Sequence, residues 1–509
     1  MNMATAIGNS GRIAKNTVAL YIRMAITMFI SFFTTRITLQ VLGAEDYGLN
    51  NLVSSVVALF SFLNGSMGTA VQRFYSIEIG KEREDRLGRT FGSALSLHMI
   101  VALATGLLME VFAMFFLHKL NIPQERLFAA QVVFQISILS MVLNVISVPY
   151  SALLRAREEF SKIAIAEVLQ SLGRLVVVLI LMRVSYDHLI ALGCLNLLVT
   201  VTYCLAIVFI ARKYQECRNR ICWDKAIIKD ISKFISMLLV TVLASLFRDK
   251  GIVILVNYFF GLLINAAYAI AMQVMHIVGT FVMNFKQSVV PQIMISYGQG
   301  DLRRMHQLVN IGTKVTYLLM LMITVPIIAE GEYILNLWLK TPPEHTYELV
   351  CLVLVNINIS SFTYFLYQGV HATGNITKQQ IVMSSLYVLN ILGIFILFKM
   401  GASFYYALYV SIVVSFLQCI VNVYFASKTF SYDVREFITS TLPRCIIAIA
   451  LVLPIIYCFT QNLESSFLRL VLTLLFCFFL LGGIGYFIVL NKTERVMARN
   501  FIKKILHKK

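Results

Sequence analysis

Arg23, Thr27, Ser31, Thr34 and Thr38 follow one another at steps of three and four residues. On a helix they form one polar face that carries a cation. Residues 246–255 read LFRDKGIVIL, which puts Arg248, Asp249 and Lys250 side by side in apolar sequence. Glu167, Ser171 and Arg174 share a third face, and Asn265, Tyr268, Met272, His276, Thr280 and Asn284 a fourth. Guanidinium and ammonium groups recognise phosphate and carboxylate, arginine through a bidentate fork. Together these residues could hold an anionic or phosphate-bearing group, with Asp249 and Glu167 balancing the charge when nothing is bound. Glu167 and Arg174 equally suit an ordinary ion pair between helices, and serine and threonine also serve as helix-packing glue.

The elements that carry these residues follow from composition. Of 509 residues, 59% are hydrophobic and 13% charged, and the mean hydropathy is +0.80. Soluble domains are about 25% charged. Repeated apolar stretches of about 20 residues make this an all-α polytopic membrane protein. The net charge of +18 would suit nucleic acid in a soluble chain, but in a membrane protein basic residues mark cytoplasmic loops, and no nucleic-acid partner is expected. The stretch from Thr17 to Leu42 is longer than a signal-peptide core and contains Arg23, so it reads as a retained first helix. Nine cysteines are scattered. Cys217 and Cys222 share a basic loop without a histidine cluster, which favours free thiols over a metal site.

Cutting at charged and Gly/Pro-rich punctuation predicts about fourteen spans. The first two cover 17–41 and 48–72, the seventh and eighth 232–257 and 262–285, and the last two 440–460 and 467–490. The seventh and eighth are separated by length: 34 residues from Gly251 to Asn284 carry no charge, and one helix of that length would span about 51 Å against a hydrocarbon core of about 30 Å. The break falls near Phe260 and Gly261. Arg248, Asp249 and Lys250 then lie roughly 20 Å into the seventh span, where each charge costs about 2.5–3.5 kcal/mol. Such residues either line a polar cavity or snorkel to the interface. Adjacent positions on a helix point in different directions, so simple pairing of Arg248 with Asp249 is not expected.

Alternate loops differ in basic residues. The set containing both termini includes five Lys or Arg from Arg73 to Arg89, seven from Arg212 to Lys233 and seven from Lys492 to Lys509, which places both termini in the cytoplasm. The basic tail from Lys492 suits a membrane surface with anionic headgroups. The chain also repeats itself. Gly43 and Gly261 stand at corresponding points of similar segments 218 residues apart, and Ala156 and Ala372 at points 216 apart. A period holding an even number of spans keeps the same topology in both copies. The expected organisation is 1–215 as one six-helix lobe, 216–430 as a second parallel lobe, and 431–509 as two further helices and a basic tail.

The stretches RIAKNTVALYIR, TTRITLQVLGAEDYGLNNLV, GIVILVNYFFGLLINAAYAIAMQV, FKQSVVPQIMISYGQGD, ILNLWLKTPPE and HATGNITKQQIV resemble the bacterial polysaccharide flippases that handle O-antigen and capsule repeat units, members of the multidrug/oligosaccharidyl-lipid/polysaccharide (MOP) exporter superfamily. The resemblance implies two six-helix lobes around a central cavity, alternating access, and no enzymatic activity, cofactor or metal. The implied substrate is a polyprenyl-pyrophosphate-linked oligosaccharide turned from the inner to the outer leaflet of the bacterial cytoplasmic membrane. Implied partners are that lipid, a polysaccharide polymerase and glycosyltransferases; a coupling ion, sodium or proton, stays open. Related lipid flippases carry cavity-facing arginines on the first and eighth helices. Arg23 matches the first. The eighth span holds His276 and, at its end, Lys286, so the second cation comes from Arg248 or Lys250.

Three other readings remain. A cation-coupled multidrug exporter of the same superfamily would favour carboxylates in its site, whereas the deep charges here are mostly basic. A membrane glycosyltransferase or polymerase would use an acidic pair such as Glu45 and Asp46, but the next helix follows at once and outer loops are short. A scaffold without transport leaves Arg23, Arg248, Asp249 and Lys250 without a use.

Overall fold

The computed structural model describes residues 3–58, 61–116, 124–218, 221–461, 463–491 and 494–496, and among these it contains helices, turns and no strand. The tail beyond residue 496, expected at the membrane surface, lies outside the described residues. The helices are α1 (Met3–Ala58), α2 (Ser61–Gly80), α3 (Glu84–Phe116), α4 (Leu127–Ala156), α5 (Phe160–Leu181), α6 (His188–Ala211), α7 (Lys225–Gly298) and α8 (Leu302–Ala329). They continue as α9 (Gly331–Leu339), α10 (Thr346–Ser361), α11 (Tyr364–Thr373), α12 (Thr377–Lys399), α13 (Tyr406–Phe430), α14 (Val434–Glu436), α15 (Leu442–Gln461) and α16 (Phe467–Ile484). Among the described residues, twelve runs are long and apolar enough to cross a membrane, from Asn16–Gly43 to Phe467–Val489. The two other expected spans are helical over their described residues, one across the end of α1 and α2, the other in the first arm of α7.

Helix starts follow side-chain chemistry. Asp187 accepts from the backbone amides of Leu189 and Ile190 at the start of α6, Asp301 from Arg304 at the start of α8, and Ser466 from Arg469 at the start of α16. Each satisfies amides that the first helical turn leaves without a partner. Two long helices break at glycine: Gly43 inside α1 has φ 74°, ψ 174°, and Gly261 inside α7 has φ 78°, ψ −174°. This backbone region is open only to glycine. The expected separation of the seventh and eighth spans at Gly261 is therefore present as a sharp break in one continuous helix.

The break recurs with the predicted period. Gly261 follows Gly43 by 218 residues, Gly300 follows Glu82 by 218, and Gly374 follows Glu158 by 216, all with positive φ. Helix starts match as well: Glu84 with Leu302, Phe160 with Thr377, His188 with Tyr406. The internal repeat is thus written in backbone conformation at positions where few side chains are identical.

Contacts divide the chain into two compact units, Ala14–Leu239 and Val240–Lys509 with Met1–Ile13. In the first, α4 packs on α2, α3 and α6, and α5 on α6; its core joins Leu42, Met109, Phe134, Val177, Leu181 and Leu192. In the second, α13 packs on α10, α11 and α12, and α8 on α10 and α11. That unit also carries α15 and α16, which close on α8 through Leu318, Leu321, Val325, Cys445, Val452, Cys477 and Leu481.

Candidate functional site

Four of the five residues of the α1 polar face, all but Arg23, line a cavity that lies inside the first unit. About 390 Å³ is enclosed by Thr27, Ser31, Thr34 and Thr38 of α1, Ser171 and Arg174 of α5, and Asn196 and Thr200 of α6, with Tyr47 and Asn50 beyond the Gly43 break. Helix periodicity explains the alignment: the steps between Arg23 and Thr38 nearly cancel in rotation, so the face stays on one side. The hydroxyls are anchored to their own helices, Thr34 to the Ile30 carbonyl at 2.9 Å, Thr38 to Thr34 at 2.7 Å and Ser171 to Glu167 at 3.0 Å. Their lone pairs and the Asn196 amide present a neutral polar wall.

Arg174 is the charged residue in that wall. It is exposed, and among the described residues no carboxylate pairs with it. Arg23 differs, because its guanidinium donates to Glu167 across α1 and α5, with only 21% and 22% of the two side chains accessible. The shared face of Glu167, Ser171 and Arg174 is thus split in role: Glu167 neutralises Arg23, and Ser171 and Arg174 face the cavity.

The residues expected on the seventh and eighth spans sit in the second unit. Arg248 donates to Asp249 from Nε at 2.9 Å and from Nη2 at 2.6 Å. This corrects the expectation that neighbours on a helix do not pair: the arginine side chain is long enough to bend across the helix surface to the next carboxylate. The Arg248 guanidinium also lies 4.5 Å from the Tyr387 ring centre, a favourable cation–π contact. Lys250 is exposed and makes no ion pair among the described residues. His276 is exposed too, whereas Tyr268 and Asn284 are buried. The fourth face is therefore not one face. Successive four-residue steps each advance about 40° around a helix, and between Tyr268 and Asn284 they carry the row round to another side. Lys286 lies 4.4 Å above the Tyr364 ring.

Several charged groups stand outside the four faces read from spacing. Arg126 bridges Asp187 at 2.5 Å and Asp46 at 2.7 Å, which assigns Asp46 a structural partner. Glu330, at 1% exposure, accepts from Arg469 Nη2 at 2.7 Å and from the Thr473 hydroxyl at 3.0 Å. Lys314 donates to both Glu494 oxygens at 2.9 and 3.0 Å. These two buried pairs fix the start of α16 to the end of α8, and the segment after α16 to the middle of α8. Arg469 stands in the apolar run SSFLRLVLTLLF, the same signal that marks Arg23. Among the described residues no group of three or more His, Cys, Asp or Glu could hold a metal. Cys217 is buried; that burial, reinforced by the neighbouring Glu216, pushes its thiol up to about 12, so it stays protonated and unreactive at neutral pH.

Among solved structures, a MATE protein in its bent conformation superposes with a TM-score of 0.72 at 15% identity, over 85% of this chain and 98% of that one. The chain has the MATE transporter fold. An outward-facing multidrug-resistance MATE transporter of the MOP superfamily matches with a TM-score of 0.66 at 14% identity, over 82% and 96%. A MOP superfamily transporter from Pyrococcus furiosus, described as having a binding pocket of reverse polarity that suggests a different function, matches at 0.68 and 13%, over 82% and 96%. Residues 19–166 match the MatE family, and no curated protein matches in sequence. The MATE fold accounts for nearly all of those chains but not all of this one.

Proposed function

We propose that this protein is a flippase that carries a polyprenyl-pyrophosphate-linked oligosaccharide from the inner to the outer leaflet of the bacterial cytoplasmic membrane by alternating access. The observation that supports this reading is the charge of the first-unit cavity: neutral hydroxyls and amides surround Arg174, and no carboxylate is among its described lining residues. A planar guanidinium in a polar wall suits a pyrophosphate or an acidic sugar. Arg23, compensated by Glu167 at rest, supplies a second cation when an anion draws it away. In the second unit Arg248 with Asp249 is the corresponding compensated pair, and Lys250 and His276 are accessible groups that a long glycan could meet.

A cation-coupled multidrug exporter is the second reading, and the likeness to the outward-facing multidrug-resistance transporter favours it as far as the fold is concerned. The polarity of the cavity separates the two, since a lipophilic cation calls for carboxylate and aromatic walls. The Pyrococcus furiosus transporter, with a pocket described as reversed in polarity, illustrates pocket charge as a mark of function on this fold. In the flippase reading both termini are cytoplasmic, so a Glu344→Cys variant should be labelled from outside and a cysteine at Arg220 should not. A polysaccharide polymerase and glycosyltransferases are the working partners.

Deletion of the protein tests the reading. Carrier-linked oligosaccharide should accumulate facing the cytoplasm and a surface glycan should be lost. If the carrier-linked unit stays accessible from outside in the deletion strain, with no second flippase present, the flippase reading fails.

A further inference from the structure

A second cavity, in the second unit, lies between the second repeat and the helices beyond it. It encloses about 580 Å³ between the end of α8 and α9 on one side and α15 and the start of α16 on the other, within the ~300–1,000 Å³ usual for small-molecule sites. Its lining changes along its depth. Ile328, Leu453 and Pro454 form an accessible apolar wall, with Val325 and Ile456 buried in the core, and Glu332, Tyr333, Tyr457, Gln461 and Ser465 form a polar rim. The adjoining spans end at Ala329 and Gln461. Leu453 and Pro454 therefore lie within a span, and Glu332, Gln461 and Ser465 at or beyond a span end, where tyrosine is also favoured.

The rim has a definite sign. Glu330 and Arg469 also line the cavity, but they neutralise each other, and Arg469 Nη1 is further used by the Leu463 carbonyl at 2.8 Å. Glu332 is exposed and makes no ion pair among the described residues. Tyr333 stands beside it in the chain, and Tyr457, 65% exposed, faces the same cavity. A carboxylate among aromatic rings attracts an ammonium group, the Gln461 amide and Ser465 hydroxyl can donate to a phosphate, and the wall below accepts a hydrocarbon chain.

We propose that this cavity binds a bilayer phospholipid with an amine head, its chain along Ile328, Leu453 and Pro454 and its ammonium at Glu332 between Tyr333 and Tyr457. The site is independent of the first-unit cavity and of what that cavity carries. One side of it is built by α15 and α16, which the chain has in addition to the repeat, and their role is to seat one lipid against the end of α8.

The test is native mass spectrometry of the full-length protein with an ethanolamine phospholipid, a glycerol phospholipid of the same chains and dodecyltrimethylammonium, each added separately. The ethanolamine lipid should be retained at least fivefold over the glycerol lipid. Glu332→Gln should reduce that preference to parity without lowering the melting temperature, because Glu332 is exposed and belongs to no ion pair among the described residues. Equal retention of the two phospholipids, or a preference that survives Glu332→Gln, would overturn the site. Retention of dodecyltrimethylammonium without the ethanolamine lipid would overturn the lipid assignment and point to a lipophilic-cation site.

Discussion

Arg23 on α1 is hydrogen-bonded to Glu167 on α5, while Arg174, two helical turns further along α5, faces the cavity without a carboxylate partner among the described residues. One helix thus carries both the compensation for one cation and a second cation left to bind. The pair is mostly buried, so removing one member takes from the other its charge partner across α1 and α5. Arg23→Gln and Glu167→Gln should each destabilise by about 1–3 kcal/mol, and the double variant should recover part of the loss, with a coupling of about 0.5–3 kcal/mol. Thermal unfolding in detergent reads all four proteins. Strict additivity would show that the pair contributes no coupling.

Gly43 and Gly261 hold a conformation closed to other residues, and each has open space where a side chain would go. The cost of alanine there is strain rather than collision, about 1–3 kcal/mol. Gly43→Ala and Gly261→Ala should therefore lower stability and slow transport together. Gly482→Ala, helical and equally open, should be neutral or slightly stabilising. Melting temperatures of the three variants check this, and equal values for all three would remove the strain argument.

Asp249 compensates Arg248, and Lys250 has no such role. Asp249→Asn leaves the Arg248 charge uncompensated among the described residues and should reduce folding yield and stability. Lys250→Ala should leave both near wild type. Fluorescence-detected size exclusion measures the comparison; a larger defect in Lys250→Ala than in Asp249→Asn would reverse the assignment of the three charges.

Glu330 and Arg469 form a buried pair whose loss on one side leaves a charge without its counter-ion, at about 3–5 kcal/mol. Arg469→Met alone should be severely destabilising, and Arg469→Met with Glu330→Gln should restore much of the loss. Urea resistance of the detergent-solubilised protein reads this. An Arg469→Met protein as stable as wild type would mean that α16 is held by its apolar contacts alone.

Much of this architecture is legible in the residues, for physical reasons. The Gly261 break follows from a charge-free run too long for one span, and the α1 face from steps that keep five residues on one side. The eighth-span face fails because its four-residue steps drift around the helix and separate His276 from Tyr268 and Asn284. The pairing of Arg248 with Asp249 escapes a rule based on backbone direction, which ignores the reach of a guanidinium. Arg469 carries the same signal as Arg23, a cation in an apolar run, but its partner Glu330 lies 139 positions earlier in the chain. No spacing rule connects residues so far apart.

The most direct measurement is translocation by the purified protein in proteoliposomes, using a polyprenyl-pyrophosphate-linked saccharide and, in parallel, a lipophilic cation. The wild type should move the lipid-linked saccharide and not the cation. Arg174→Ala should lose at least tenfold in rate with its melting temperature kept, and Arg174→Lys should recover part of that loss if charge suffices without the fork. Uptake of the cation without movement of the saccharide, or saccharide movement by Arg174→Ala at the wild-type rate, would contradict the account.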